Sequence, residues 1–206
     1  MKLKKHKYVG TTTVSVTDRE RENGNLARYA AVEGFVLLKN EGNLLPLKKG
    51  IKLGLYGAGA VKTIKGGTGS GDANNRTTIS IYEGLVNAGF QVTSESWLKQ
   101  YEECYEKARL IWKEEIFQKT DEEYNGHFLH AYSRTPFLIP CGPALDVAVA
   151  QEDGADTAIF VLSRIAGEDK DRHDIKGDYY VTEEEKVLIR QICNVYEKVL
   201  LVINTG

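Results

Sequence analysis

The chain reads as an α/β protein, a three-layer sandwich in which a mostly parallel sheet lies between helices. Three observations predict it. Short apolar runs rich in Val, Ile and Leu alternate with helical patterns along the chain. Those runs are continuous and do not alternate apolar with polar, as expected of strands buried on both faces. The length, 206 residues with 42% apolar, suits one such core.

Residues 1–24 read as an N-terminal arm, extended and polar through residue 22, and 25–206 as the α/β domain. Asn25 is the expected N-cap of a helix reaching Lys39, with Leu26, Tyr29, Ala30, Glu33 and Leu37 at helical spacing. Gly34 within it marks a close packing point. EGNLLPL then makes a turn with a short apolar hook, ended by Pro46. Ile51 to Tyr56 is a strand running into Gly57-Ala58-Gly59, followed by the loop KGGTGSGD from Lys65 to Asp72. Tyr82 to Ala88 is a helix stopped by Gly89, and Phe90 to Thr93 the next strand.

Leu98 to Gln118 is a long charged helix carrying Leu98, Tyr101, Tyr105, Ala108, Ile111 and Trp112. Residues 119–142 read as irregular, Pro143 to Gln151 as a short helix and Asp156 to Ser163 as a buried strand. Thr182 caps the last helix, and Glu185 three residues on completes a capping box. Val187, Leu188, Ile192 and Val195 give that helix its apolar stripe. The strand Val199 to Asn204 leads into Thr205-Gly206 with no helix after it, a pattern that expects more protein beyond.

The formal net charge is -2 with both signs interspersed, which predicts neither nucleic acid nor an anionic membrane as partner. Cys104, Cys141 and Cys193 are far apart and form no CxxC pair, against a disulfide framework or a cysteine zinc site. A reducing, cytoplasmic compartment is expected. The basic start MKLKKHKYVG lacks the apolar core of a signal peptide, and no apolar run is long enough to span a membrane. His127 and His130 could share a helix face, but no further ligands stand near them in sequence, so surface histidines are the preferred reading. No metal or cofactor is expected.

Three segments could carry chemistry. Gly57-Ala58-Gly59 follows a strand, but Lys62 stands where a dinucleotide fingerprint needs its third glycine, so a tight turn is preferred over nucleotide binding. The loop from Lys65 to Asn75 puts its lysine before the glycines and fails the P-loop pattern. Its hydroxyls (Thr68, Ser70), carboxylate (Asp72) and amides (Asn74, Asn75) offer the donors and acceptors a sugar needs, and equally suit a solvated surface loop. The third segment follows the strand from Asp156. Arg164, Glu168, Asp169, Lys170, Asp171, Arg172, His173 and Asp174 crowd one loop. Ligands of open α/β sheets bind outside the carboxyl ends of the strands. Glu168, beside Gly167, is therefore a candidate acid there, and an exposed salt-bridged loop is the alternative.

AAVEGFVLLKNEGNLLPL (Ala30 to Leu47), KGGTGSGDANN, IFVLSRIAGEDKDR and GDYYVTEEE, in this order, resemble the family 3 glycoside hydrolases. The likeness is to their α/β sandwich domain, partner of a TIM-type barrel, over Asn25 to Gly206. It implies a retaining β-glycosidase acting on terminal β-glucosyl or β-xylosyl residues. The nucleophile would be an aspartate on the barrel, and Glu168 the general acid/base. The family loop usually reads Gly-Glu-Gly, and Asp169 departs from it. Arg172 matches the family's arginine. Some members place the acid/base on an earlier loop like that of Glu95, which makes Glu95 the reserve.

Lys65, Thr68, Ser70, Asp72 and Arg172 would line the substrate mouth. The short leader resembles members with the sandwich first, so the barrel is expected after Gly206, and these residues alone are expected to be inactive. Expected partners are a β-glucoside or oligosaccharide and the barrel, with a homo-oligomer left open. A non-catalytic carbohydrate-binding or scaffolding domain, and a nucleotide-binding domain, are the alternatives.

Overall fold

The computed structural model describes residues 14–67, 71, 75–167 and 172–205. Contacts divide the chain into two units, residues 1–45 and 46–206.

In the first unit, α1 spans Asp18–Gly34. Its N-cap is Thr17, not Asn25, and residues 18–22, expected as extended arm, are helical. The physical reason is local. Thr17 Oγ1 accepts from the Glu20 amide at 3.2 Å and Glu20 Oε2 accepts from the Thr17 amide at 2.7 Å. Two orphan donors are thereby satisfied reciprocally, and Asp18 and Glu20 favour the positive end of the helix. The helix stops at Gly34 and Phe35 is extended, short of the expected Lys39. In the turn that follows, Asn40 accepts from the Leu45 amide and donates to the Leu45 carbonyl.

The second unit holds a four-stranded parallel sheet in the order β2-β1-β3-β4, where β1 is Lys52–Tyr56, β2 Gln91–Val92, β3 Thr157–Arg164 and β4 Lys198–Thr205. The α/β expectation is borne out. β3 lies centrally and is buried at every position but Leu162, so both its faces are covered. β2 is short, and Ser94 takes over where it ends. The Ser94 hydroxyl accepts from the Leu55 amide and donates to the Leu55 carbonyl, both at 2.7 Å, closing the β1 edge.

The helices are α2 (Ile81–Asn87), α3 (Glu95–Glu122), α4 (Phe128–Arg134), α5 (Val147–Glu152) and α6 (Glu183–Val195). Capping boxes start α2 at Ser80 and α6 at Thr182, the latter as expected. α3 begins one turn before Leu98, and α4 lies inside the stretch expected to be irregular. Propensity does not make α4. Its buried Ala131 and the pairing of Tyr132 with Trp112 on α3, ring centroids 5.8 Å apart, hold it in place. No helix among the described residues is long and apolar enough to cross a membrane.

The core is built on Leu53, Leu55, Phe160 and Val161 of the sheet with Trp97, Leu98, Leu188 and Ile192 of the helices. A polar chain threads it. Tyr196 Oη donates to Asp153 Oδ2 at 2.7 Å and lies 2.7 Å from Tyr56 Oη, and Thr93 donates to the same Asp153 oxygen. Burial pushes both phenols up, and for Tyr196 the Asp153 carboxylate adds to the effect. Gly54 leaves room for this chain, since a Cβ there would stand 2.7 Å from Tyr196 Oη.

Candidate active-site crevice

The strand order reverses between β1 and β3, because β1 connects to β2 on one side while β3 and β4 lie on the other. Loops leaving the carboxyl ends of β1 and β3 therefore diverge and leave a crevice. Both loops carry the residues singled out from sequence.

The β1 loop starts with a 3₁₀ turn, Ala58–Ala60, and no α-helix opens there. Gly57 and Gly59 are required by packing. Gly57 has φ 90°, and a Cβ on it would stand 2.3 Å from the Val161 carbonyl oxygen. A Cβ on Gly59 would meet Ser163 Oγ at 2.2 Å. These glycines seat the turn on β3, which accounts for them without a dinucleotide.

Further on, Asn204 at the end of β4 accepts from the Ile64 amide (2.7 Å) and donates to the Ile64 carbonyl (2.9 Å). Thr63 donates to the Gly59 carbonyl and accepts from the Ile81 amide, tying the loop to the start of α2. Two polar side chains thus aim Lys65-Gly66-Gly67 over the sheet. Gly67 is a close approach, since a Cβ on it would lie 2.8 Å from the Ala166 carbonyl oxygen and 3.3 Å from Gly167 Cα. Gly71 returns against Gly67, with its would-be Cβ 3.1 Å from the Gly67 oxygen. The glycine loop and the loop after β3 are in direct contact just before position 168.

The loop after β3 is anchored by Arg164. Sequence reading put this arginine in the charged loop after the strand, but it is the last residue of β3 and buried, 8% exposed. Its guanidinium donates to both carboxylate oxygens of Glu185 on α6 (2.7 and 2.8 Å). It also donates to the carbonyls of Ser163, Asp178 and Tyr180. Arg172 donates to Asp178 Oδ1 at 2.7 Å and to the Ile165 carbonyl at 3.2 Å, and the His173 amide donates to Asp178 Oδ2. Partial burial pushes the Asp178 carboxyl up, but the Arg172 and His173 bonds outweigh it and hold it below the usual carboxylate range.

Lys65, Gly67, Ala166, Arg172 and Asp178 line a cavity of about 830 Å³, within the size of small-molecule sites. Lys65 Nζ reaches Thr78 Oγ1 at 3.4 Å. Of the residues proposed from sequence, Lys65 and Arg172 thus come together here. Glu168, Thr68, Ser70 and Asp72 lie outside the described residues. Glu95 does not line this cavity. It starts α3, accepts a hydrogen bond from Tyr82 Oη at 2.9 Å, and opens on a second cavity of about 550 Å³ with Lys99 and Glu102. His127 and His130 sit at the start of α4 with rings 5.6 Å apart, and no group of three metal-ligating residues occurs among the described residues.

Sequence reasoning missed Asn204, Thr63 and the Arg164–Glu185 pair. A polar residue closing an apolar parallel strand, as Asn204 does, was the available signal.

Comparison with known proteins agrees with this architecture. Residues 35–206 match the model of the "Glycosyl hydrolase family 3 C-terminal domain". β-Glucosidase A of Butyrivibrio fibrisolvens is 31% identical over 203 residues, covering 88% of this chain and 22% of that protein. A β-glucosidase of Ruminococcus albus is 29% identical, over 84% of this chain and 17% of its own length. Among solved structures, β-glucosidase 3B of Thermotoga neapolitana in complex with α-D-glucose superposes with a TM-score of 0.70 at 32% identity, over 91% of this chain and 25% of that one. A β-glucosidase from Paenibacillus barengoltzii gives 0.66 at 29% identity, over 88% and 18%. The chain therefore spans about a fifth of the length of the curated relatives it matches. With the sheet order, the glycine-rich turn and the match over residues 35–206 all in agreement, this chain belongs to the glycosyl hydrolase family 3 C-terminal domain family.

Proposed function

We propose that this chain is the sandwich-domain part of a retaining β-glucosidase, that Glu168 is its general acid/base, and that a TIM-type barrel supplies the nucleophile. The observation that carries the reading is the contact of Gly67 with Ala166 and Gly167 at the β1/β3 switch point. It brings the residues directly before Glu168 to the carboxyl edge of the sheet, beside a loop rich in backbone N–H groups.

In the first displacement the barrel aspartate attacks the anomeric carbon. The bond to the leaving oxygen breaks and Glu168 gives that oxygen its proton. In the second, water attacks the glycosyl-enzyme, gives a proton to Glu168 and displaces the aspartate. The two carboxyls must stand about 5–5.5 Å apart. Since one is absent from this chain, the chain alone is inactive. Arg172, bonded to Asp178 and to the Ile165 carbonyl, ties together the described residues on either side of position 168, which supports this reading. β-Xylosides are a second substrate of this reading, and a cytoplasmic setting is supported by the free thiols of Cys104, Cys141 and Cys193.

Leaving-group dependence tests the assignment. In the chain joined to a family 3 barrel, Glu168→Ala should slow alkyl β-glucosides far more than 2,4-dinitrophenyl β-glucoside, whose departing oxygen needs no proton. If Glu95→Ala shows that contrast and Glu168→Ala does not, Glu95 is the acid/base.

A further inference from the structure

The 830 Å³ cavity extends well beyond the glycine loop, to a wall built by one face of α3. Tyr105, Glu106, Arg109, Trp112 and Lys113 recur at helical spacing and all line the cavity. Across from them stands Phe137. Its ring lies 5.4 Å from Tyr105, edge to face, and 5.5 Å from Trp112. The Arg109 guanidinium sits over both Trp112 (4.9 Å) and Phe137 (5.3 Å).

Charge on this wall is unbalanced. Lys62 pairs with Glu106 at 3.0 Å and more distantly with Glu102 at 3.9 Å, whereas neither Arg109 nor Lys113 has an ion-pair partner among the described residues. Three cations, Lys62, Arg109 and Lys113, act on the single carboxylate of Glu106. A planar aromatic surface with two surplus cations matches a planar aromatic anion. Rings stack on the wall, and a guanidinium held by rings keeps its donors for a carboxylate.

We propose that this wall is a leaving-group subsite for carboxylated aromatic aglycones, so that the substrates are β-glucosides of benzoate-type phenols. The inference rests on the β-glucosidase reading for the sugar, but its contacts belong to α3 and Phe137 alone. Binding therefore tests it separately from catalysis.

The 206-residue chain is titrated with 4-carboxyphenyl β-D-glucoside, its neutral 4-carbamoylphenyl counterpart, and cellobiose. Tryptophan emission and amide shifts are followed, with Trp112→Phe assigning the emission change. The carboxylate is expected to bind about two- to fivefold tighter than the amide at low salt, the range of a partly screened charge contact, with the advantage falling as salt rises. Arg109→Gln with Lys113→Gln should erase the advantage, and Glu106→Gln should enlarge it. If the double variant unfolds, the salt dependence and Glu106→Gln still decide.

Equal binding of the two aryl glucosides overturns the proposal. So does cellobiose binding as tightly as the carboxylate, absence of binding up to the solubility limit, or an advantage indifferent to salt. A failed Glu168 assignment would leave these results untouched.

Discussion

Replacing Glu185 by alanine should unfold this domain more readily than any surface change. Arg164 and Glu185 are both 8% exposed, and Glu185 holds the guanidinium through both oxygens. Removing the carboxylate strands a buried cation, which costs about 3–5 kcal/mol. Carbonyls of Ser163, Asp178 and Tyr180 still accept from the guanidinium, which favours the lower end, about 3 kcal/mol. Glu185 Oε2 also accepts from the Thr182 amide at 2.8 Å, so one of the two bonds of the α6 capping box is lost as well, adding about 1 kcal/mol, while Thr182 Oγ1 still accepts from the amide at position 185.

The sum, about 4 kcal/mol, is a large share of the roughly 5–15 kcal/mol of a typical domain. With a urea slope near 2 kcal/mol per molar, the midpoint should fall by about 2 M. Equilibrium urea unfolding of the 206-residue chain, followed by circular dichroism, measures it. Arg164→Met combined with Glu185→Leu should be far less destabilised than Glu185→Ala, since no charge is left buried. Lys176→Ala, which breaks the exposed pair with Glu183, should leave the midpoint unchanged. A loss below about 1 kcal/mol for Glu185→Ala would refute the reasoning, because a stranded buried arginine cannot be that cheap.

Further outcomes follow from other contacts. Gly57→Ala places a Cβ against the Val161 carbonyl at φ 90° and should cost about 3 kcal/mol or more in the same assay. Asn204→Ala should cost about 1–2 kcal/mol through the two bonds to Ile64 and, in the chain joined to a barrel, raise KM more than it lowers kcat. The lowered carboxyl of Asp178 stabilises the fold above its unfolded value near 3.8, and this contribution is lost as pH falls through the lower folded value. Asp178→Asn should accordingly narrow its gap to wild type as pH drops from 5 to below 3.8 in pH-dependent urea unfolding. Burial, with Glu185 and Glu184 nearby, pushes the Cys141 thiol up to about 11, so at pH 8 it should react with a disulfide reagent far more slowly than exposed Cys193.

Elements coded by neighbouring residues are the legible ones. Thr182-x-x-Glu185 announces α6, and the apolar run of β3 announces a central strand. The same S/T-x-x-E signal stands at Thr17–Glu20 and Ser80–Glu83, and at the first it outweighs Asn25, whose side chain alone offers one bond where the box makes two. α4 was not legible because the contact that orders it comes from Trp112 on α3, 20 residues before its partner Tyr132. For the crevice, the two loops were legible as glycine-rich and charged. Their contact through Gly67 and Ala166 was not, since it arises from strand order. Arg164 was placed in the loop after β3, with its burial unread, because a charge at a strand end gives no sign of a partner 21 residues away.

The central claim is that the loop after β3 supplies the proton. It is tested most directly by adding azide to the Glu168→Ala form of the chain joined to a family 3 barrel, with 2,4-dinitrophenyl β-glucoside as substrate. Azide needs no base to attack the glycosyl-enzyme, so the account predicts restored turnover and β-glucosyl azide as product. Unimpaired turnover without azide, or no glycosyl azide with it, would contradict the account.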